Sequence, residues 1–408
     1  MIFARLGKGY VGLWDTGAVE MRVDQIRRRS GELHAELSVS SAATPVGHGA
    51  IHRASFNVSS STTRERLGKT LADRSRLPIQ WSDYLEDFCA AIIDAEAAGS
   101  PIIEVGLLPP APAEEFLIDP FLPARKATII FAPGGVGKSY LSVLCSVAVA
   151  SGTPILNWRV KQARVLYLDW ETDKNEVDER VKRVSKGLGI EPPALLYRSC
   201  AGPIDAMAES VSAAVSREGI GLVVVDSVAM ASPARGEFAS AEESAIALFS
   251  TLRYIGTTAL LIDHVKGEDA DRDDAISKPY GSIYKMNLAR SVWELKGGTG
   301  SEGSDRHVGL FHRKVNKGFL LPSVGIAVRH TDDAVTFATE PIIGDLAKGL
   351  SLSVRIQREL AHGAKTTDEL ADFLGAKGEV LRATLNRGRG TLFIRLEDGR
   401  WGNLHHDV

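Results

Sequence analysis

The spacing of apolar residues changes twice along the chain, and the changes divide it into three regions. Up to about residue 105, segments around Tyr10–Trp14, Ala18–Val23, Leu33–Val39 and Ile51–Val58 alternate apolar with polar positions. A period of two belongs to half-buried strands. Glycines and Asp15-Thr16-Gly17 supply turns between them, so a small antiparallel sheet is predicted. Two helical stretches follow, Thr62–Arg74 and Ser82–Ala98. In the second, Tyr84, Leu85, Phe88, Ala91, Ile92 and Ala95 form an i, i+3, i+4 stripe. Leu108-Pro109-Pro110-Ala111-Pro112-Ala113 reads as a stiff connector.

From about Phe116 to Glu340 the pattern becomes strand, loop, helix. The runs Ala127–Phe131, Arg164–Asp169, Gly221–Asp226 and Ala259–Asp263 are almost wholly apolar. Strands of that kind are buried on both faces, which predicts a mainly parallel sheet covered by helices. From about Ser351 the period is helical again. Thr366-Thr367-Asp368-Glu369 has the form of a capping box, with Leu370, Phe373 and Leu374 expected inward on the helix it opens. Lys377–Asn386 is expected as a third helix with Val380, Leu381 and Leu385 inward. Thr391–Leu396 and Trp401 flank Asp398-Gly399, a hairpin turn signal. Three helices and a hairpin describe a winged helix.

Composition narrows the function classes. The chain has 408 residues, 44% hydrophobic and 24% charged, with a net charge of −3. That balance fits two or three globular domains and excludes a globally basic polyanion binder, so any nucleic-acid contact must come from a local patch. Three scattered cysteines, Cys89, Cys145 and Cys200, suit neither a disulfide framework nor a zinc site. With no long apolar run and no signal-like start, a cytoplasmic protein without a membrane partner is expected.

The chemistry begins at Ala132-Pro133-Gly134-Gly135-Val136-Gly137-Lys138-Ser139, directly after the strand Ala127–Phe131 and before a helix from Tyr140. Glycines there let main-chain N–H groups curl around phosphates, and the helix start adds the positive end of its dipole. Pro133 to Tyr140 are therefore the expected ATP-binding segment, with Lys138 on the β- and γ-phosphates and the Ser139 hydroxyl on Mg²⁺. Ala132 stands where the pattern has its first glycine. Gly68-Lys69-Thr70 spells a similar tripeptide but falls inside a polar helix with no strand before it, and is set aside.

Two further strands end in acids. Asp226, closing Leu222–Val225, suits the second Mg²⁺ position and the nucleotide site. Val165-Leu166-Tyr167-Leu168-Asp169-Trp170-Glu171-Thr172 places Glu171 just past a strand end, where a base for the attacking water is needed; Asp169 is the second candidate.

The order of phosphate loop, strand ending in Glu171, Asp226 without an adjacent glutamate, and Leu260-Leu261-Ile262-Asp263-His264 resembles the RecA-fold ATPases. Within them it looks closest to the RepA-like hexameric helicase branch, with kinship to DnaB-type helicases, over about Phe116–Pro322. The AAA+ class usually places its glutamate right after the strand aspartate, where this chain has Ser227. The resemblance implies that His264 senses the γ-phosphate. It also implies that Lys266, Lys278–Ser282 and Asn287–Ser291 form the following loop and helix, with Arg290 a structural or phosphate-sensing arginine. His312–Gly318 resembles the basic turn that reaches a neighbouring subunit's γ-phosphate. Lys314 matches the family lysine; Asn316 stands in place of its arginine, with Lys317 or Arg313 as the substitutes. A ring, hexameric by preference, is implied.

The loops 231–240 and 267–280 stand where such proteins hold DNA, but the second is acidic and a poor phosphate binder. In the tail, Lys377, Arg382, Arg387 and Arg389 are the candidate nucleic-acid contacts. The fold expected is α/β, with an N-terminal α+β domain (1–105), a linker (106–118), a RecA-like core (119–345) and a winged helix (346–408). The function expected is a DNA-dependent ATPase or helicase. A filament-forming recombinase or annealing ATPase, and an ATP-switched scaffold whose winged helix binds protein, stay open beside it.

Overall fold

The computed structural model describes residues 1–6, 8–43, 50–99, 102–110, 112–232, 240–265, 283–298 and 305–404. The chain separates into two compact units, Met1–Pro112 and Ala113–Val408.

In the first unit, β1 (Ile2–Leu6), β2 (Gly9–Trp14), β3 (Val19–Arg29), β4 (Glu32–Ser41) and β5 (Ala50–Asn57) form an antiparallel meander in sequence order. Along β4 every second residue is buried: Leu33, Ala35, Leu37 and Val39. They share a core with Leu67 and Leu71 of α1 (Ser61–Ser75) and Leu85, Phe88 and Ile92 of α2 (Trp81–Ala98). Ser60 starts α1, its Oγ accepting the Thr63 N–H at 3.2 Å. Gly68-Lys69-Thr70 lies within that helix, where Lys69 pairs with Glu65 at 2.8 Å. β1 is an addition to the four strands expected; it is an edge strand without a clean alternation to announce it.

In the second unit a nine-stranded sheet has the order β11-β10-β12-β13-β8-β14-β15-β16-β17. These strands are β8 (Ala127–Ala132), β10 (Arg164–Asp169), β11 (Leu196–Ser199), β12 (Ile220–Asp226), β13 (Thr258–His264), β14 (Ser291–Gly297), β15 (Asp305–Val315), β16 (Val324–His330) and β17 (Val335–Glu340). From β11 through β14 all neighbours run parallel; β15, β16 and β17 are added antiparallel. A separate three-stranded sheet joins β6 (Phe116–Asp119), β7 (Leu122–Pro123) and β9 (Arg159–Val160).

The central strands are buried on both faces because alternate side chains face different helices. Ile130, Leu222, Val224 and Ile262 pack with α3 (Lys138–Ser151) and α4 (Lys174–Gly187). Ile129, Val223, Val225 and Leu261 pack with α5 (Ala208–Glu218) and α7 (Ala241–Ile255), beside the single turn α6 (Val228–Ala231). Each such residue contributes about 1.5–3 kcal/mol as an upper bound. The short α8 (Ile283–Leu288) leads into β14. In a parallel sheet of this kind the loops after the strands gather at one edge, the carboxyl edge, where ligands sit.

The tail comprises α9 (Leu352–Leu360), α10 (Thr367–Leu374), α11 (Gly378–Arg387) and the hairpin β18 (Phe393–Arg395) and β19 (Trp401–Asn403). The capping box is present: Thr366 Oγ1 accepts the Glu369 N–H at 3.2 Å, and Glu369 accepts the Thr366 N–H at 2.7 Å. Leu370, Leu374, Leu381 and Leu385 reach the core with Phe393 and Trp401. Phe373 and Val380 do not; they are 68% and 53% exposed. On helices this short, one i, i+4 pair fills the inward face. Phe373 and Val380 each precede an inward leucine by one residue and turn about 100° away from it.

Candidate active site

Lys138 opens α3 straight from the phosphate loop. Gly135 and Gly137 adopt φ of 76° and 110°, which side-chain-bearing residues rarely reach. A Cβ built at Gly134, Gly135 or Gly137 would meet no atom within 4 Å, so the loop's main chain faces an open cleft of about 230 Å³. Gly134, Lys138, Ser139, Glu171, Asp226 and His264 all line it. Lys138 is buried, and its Nζ donates to the carbonyls of Ala132 at 3.0 Å and Pro133 at 2.7 Å. Burial pulls its pKa down, opposed by Asp226, Glu171 and Asp263. An ammonium held by carbonyls beside a glycine cradle is what a triphosphate fits: phosphate oxygens replace the carbonyls with charge-assisted contacts. Ala132 is fully buried at the end of β8, in the core with α3.

Asp226 ends β12 and is 4% exposed. Burial raises its pKa, while hydrogen bonds from Tyr167 and Ser139 oppose the rise. The Tyr167 hydroxyl donates to Asp226 Oδ2 at 2.6 Å and also meets Ser142 Oγ at 2.9 Å. Tyr167 is thus a brace for the aspartate, placed by strand pairing, since Tyr167 lies opposite Val224 in the β10–β12 register. Ser139 and Asp226 are the residues that would hold Mg²⁺, which when bound neutralises phosphate charge.

Glu171 follows β10, before Asp173 caps α4, so it is not a first-turn helix acid. Its carboxylate accepts the Ser227 hydroxyl and lies 3.2 Å from His264 Nε2. Burial alone would raise its pKa. Hydrogen bonds from Ser227 and His264, with the charges of His264 and Lys138, outweigh it and leave Glu171 below the usual range. It is therefore ionised at neutral pH, as a proton acceptor must be. Asp169, by contrast, has both carboxylate oxygens engaged within its own turn. Its Oδ1 accepts the N–H groups of Glu171 and Thr172 at 3.0 and 3.1 Å, and its Oδ2 accepts the hydroxyls of Thr172 and Tyr197. It shapes the turn that presents Glu171.

Next to His264, the buried Asp263 accepts from Lys285 Nζ of α8 at 2.9 Å. Tyr140 lines the cleft, whereas Val136 is half-buried against the core; the Tyr140 ring stands edge-on to His330 at 4.8 Å, and the Arg180 guanidinium lies 5.7 Å from its centroid. Arg180 and Arg306 line the same cleft and were not foreseen. Their signal lay in pairing: only the fold brings α4 and the start of β15 to the phosphate loop.

Two candidates are not brought to it. Arg290 donates its main-chain N–H to Ala127 O at the start of β8, a strand's length from the loop. Lys314 pairs opposite Val292 at that same edge, and its Nζ donates to the carbonyls of Asn287 (2.9 Å) and Ala289. Neither can touch a nucleotide held by its own chain. Arg313 is likewise engaged, at 2.6 Å from Glu294. Lys266, the segment 278–282, the loop 267–280 and most of the loop 231–240 lie outside the described residues.

The loop, the acids and the strand order, with β13 between the loop's strand and the Asp226 strand, define a P-loop ATPase with a RecA-like core. Residues 100–270 match the model of a family described as an AAA domain. Among solved structures, a KaiC-like protein from the hyperthermophilic archaeon Pyrococcus horikoshii is similar. The identity is 14%, over 55% of this chain and 94% of that one, with a TM-score of 0.39. No curated protein matches the sequence. Among the described residues no helix is long and apolar enough to cross a membrane.

Proposed function

We propose that this chain hydrolyses Mg²⁺–ATP and couples turnover to DNA, as a motor of RepA-like type. The observation that carries the hydrolytic reading is the Glu171 carboxylate, held by Ser227 and His264 in the cleft that Lys138 and Asp226 share. Water placed beside Glu171 loses a proton to its carboxylate while its oxygen bonds to the γ-phosphorus. The bond from that phosphorus to the β–γ bridging oxygen breaks, and ADP departs with the electron pair. Lys138 binds the β- and γ-oxygens, and His264 helps hold the Glu171 carboxylate.

The DNA reading rests on the tail as a winged helix. Lys377, Arg382, Arg387 and Arg389 are exposed on and around α11, and the hairpin of β18 and β19 follows. A helix with exposed cations on its outer face suits a groove lined by phosphates. Arg400, by contrast, is paired with Asp398 at 2.6 Å.

The test is ATP hydrolysis with and without single- and double-stranded DNA, alongside the mass of the protein in solution with nucleotide. Hydrolysis stimulated several-fold by DNA, and lost on charge reversal of Arg382 and Arg387, supports the reading. Hydrolysis indifferent to DNA removes the DNA part and leaves a nucleotide-controlled switch. No hydrolysis overturns the whole.

A further inference from the structure

Phosphoryl transfer needs a cation on the γ-phosphate besides the loop lysine, and the sequence offers Lys314, which can serve only a neighbouring chain. The structure offers another at the opposite end of the same strand. β15 is antiparallel to β14 and pairs Val308 with Gly297, so its first residues return to the carboxyl edge beside the phosphate loop. There the Arg306 guanidinium donates to the main-chain carbonyl of Gly135, in the middle of the loop. Arg306 also lines the cleft with Lys138, Glu171 and Asp226.

Resting on the hydrolytic reading above, we infer that Arg306 is a catalytic residue that binds the γ-phosphoryl group of the nucleotide held by its own chain. Three observations bear on it. Arg306 is held as Lys138 is held: both cations rest on loop carbonyls, contacts that phosphate oxygens replace with stronger, charge-assisted ones. Its planar fork suits two phosphate oxygens at once, which an ammonium does not. It is also anchored by a rigid sheet, since Val308 and Leu310 beyond it are buried in the α3–α4 core. Arg180 of α4, paired with Glu176, flanks the cleft as a second cation.

The test compares Arg306→Ala and Arg306→Lys with the wild type, measuring kcat and nucleotide affinity separately. A cation supplied within the chain predicts a kcat loss of about 10²-fold or more for the alanine variant, with nucleotide affinity changed less than about tenfold. The lysine variant, which keeps charge without the fork, recovers kcat only in part. Arg306→Ala is then mixed with Lys138→Ala. If Arg306 served a neighbouring chain, mixed assemblies would regain turnover at sites where an intact Arg306 faces an intact loop. The expected result is no recovery, and wild-type turnover per chain independent of protein concentration. Recovery on mixing, or a kcat within threefold of wild type for both variants, overturns the inference while leaving the ATPase reading intact. A wild-type protein that does not hydrolyse ATP overturns both.

Discussion

The two ends of β15 carry cations, and a bulge between His312 and Lys314 puts them on opposite faces of the sheet. Arg306 and Lys314 are eight positions apart, roughly 27 Å at about 3.4 Å per residue. Arg306 meets the phosphate loop through Gly135; Lys314 fastens the carbonyls of Asn287 and Ala289, where α8 turns into β14. Burial and the nearby Arg290 lower the Lys314 pKa, opposing its charge, while the two carbonyls it donates to hold the ammonium in place. Charge and strand position do not assign a role by themselves. What assigns it is the edge of the parallel sheet at which the residue emerges. At the carboxyl edge strand-ending acids, the glycine loop and a returning arginine converge; at the amino edge the polar groups tie the chain to itself.

The comparison is broken first by any amino-edge residue that controls turnover, or any carboxyl-edge residue that does not. Glu171→Gln is expected to lower kcat by about 10²–10⁴-fold while nucleotide still binds, read by single-turnover hydrolysis and a binding isotherm. A variant turning over near the wild-type rate removes Glu171 as the base. Lys285→Met strands the buried Asp263 beside His264 and is expected to cost about 3–5 kcal/mol in chemical denaturation. A loss below about 1 kcal/mol would mean that the pair does not brace the site.

His312, near the amino edge, sharpens the contrast through pH. It is buried, stacked on Trp293 at a ring separation of 4.2 Å, with Nδ1 accepting the Leu321 N–H at 2.9 Å. Burial pulls its pKa from 6.5 to about 4. Because the folded value lies below the unfolded one, the stability from neutral His312 is present above about pH 6.5. It is lost as pH falls toward 4, by at most about 3 kcal/mol. Urea midpoints across that range should show the slope in wild type and a flatter one in His312→Gln, and equal slopes would show the ring to be uninvolved. The smallest effect belongs to the exposed Phe373: Phe373→Ser should stay within about 0.5 kcal/mol, and a larger loss would return it to the core.

Much of this site was legible in the sequence because its signals are local. The glycine loop, Lys138 and Ser139 are consecutive, and Asp226 and Glu171 each close or follow an apolar run. What stayed hidden depends on pairing between distant segments. Tyr167 reads as one more apolar strand residue until β10 aligns with β12 and brings its hydroxyl to Asp226. Ser227 reads as a missing glutamate until its hydroxyl is seen on Glu171. Arg306 needed the return of an antiparallel strand to the carboxyl edge. Lys314 carried a resemblance to a lysine that reaches a neighbouring subunit's nucleotide, and within its own chain it emerges at the edge opposite the phosphate loop. In the tail, spacing set the inward leucines correctly and overfilled the inward faces with Phe373 and Val380.

At one end of β15 stands Arg306, proposed above to bind the γ-phosphoryl group; at the other, Lys314 fastens the carbonyls of Asn287 and Ala289. The direct measurement is kcat at saturating Mg²⁺–ATP for Arg306→Ala and Lys314→Ala, side by side, with the folded fraction of each determined in the same samples. The expected result is a fall of about 10²-fold or more for Arg306→Ala and a value within about threefold of wild type for folded Lys314→Ala. The reverse ranking, with Lys314→Ala inactive though folded and Arg306→Ala active, would contradict it and place the second cation on a neighbouring chain.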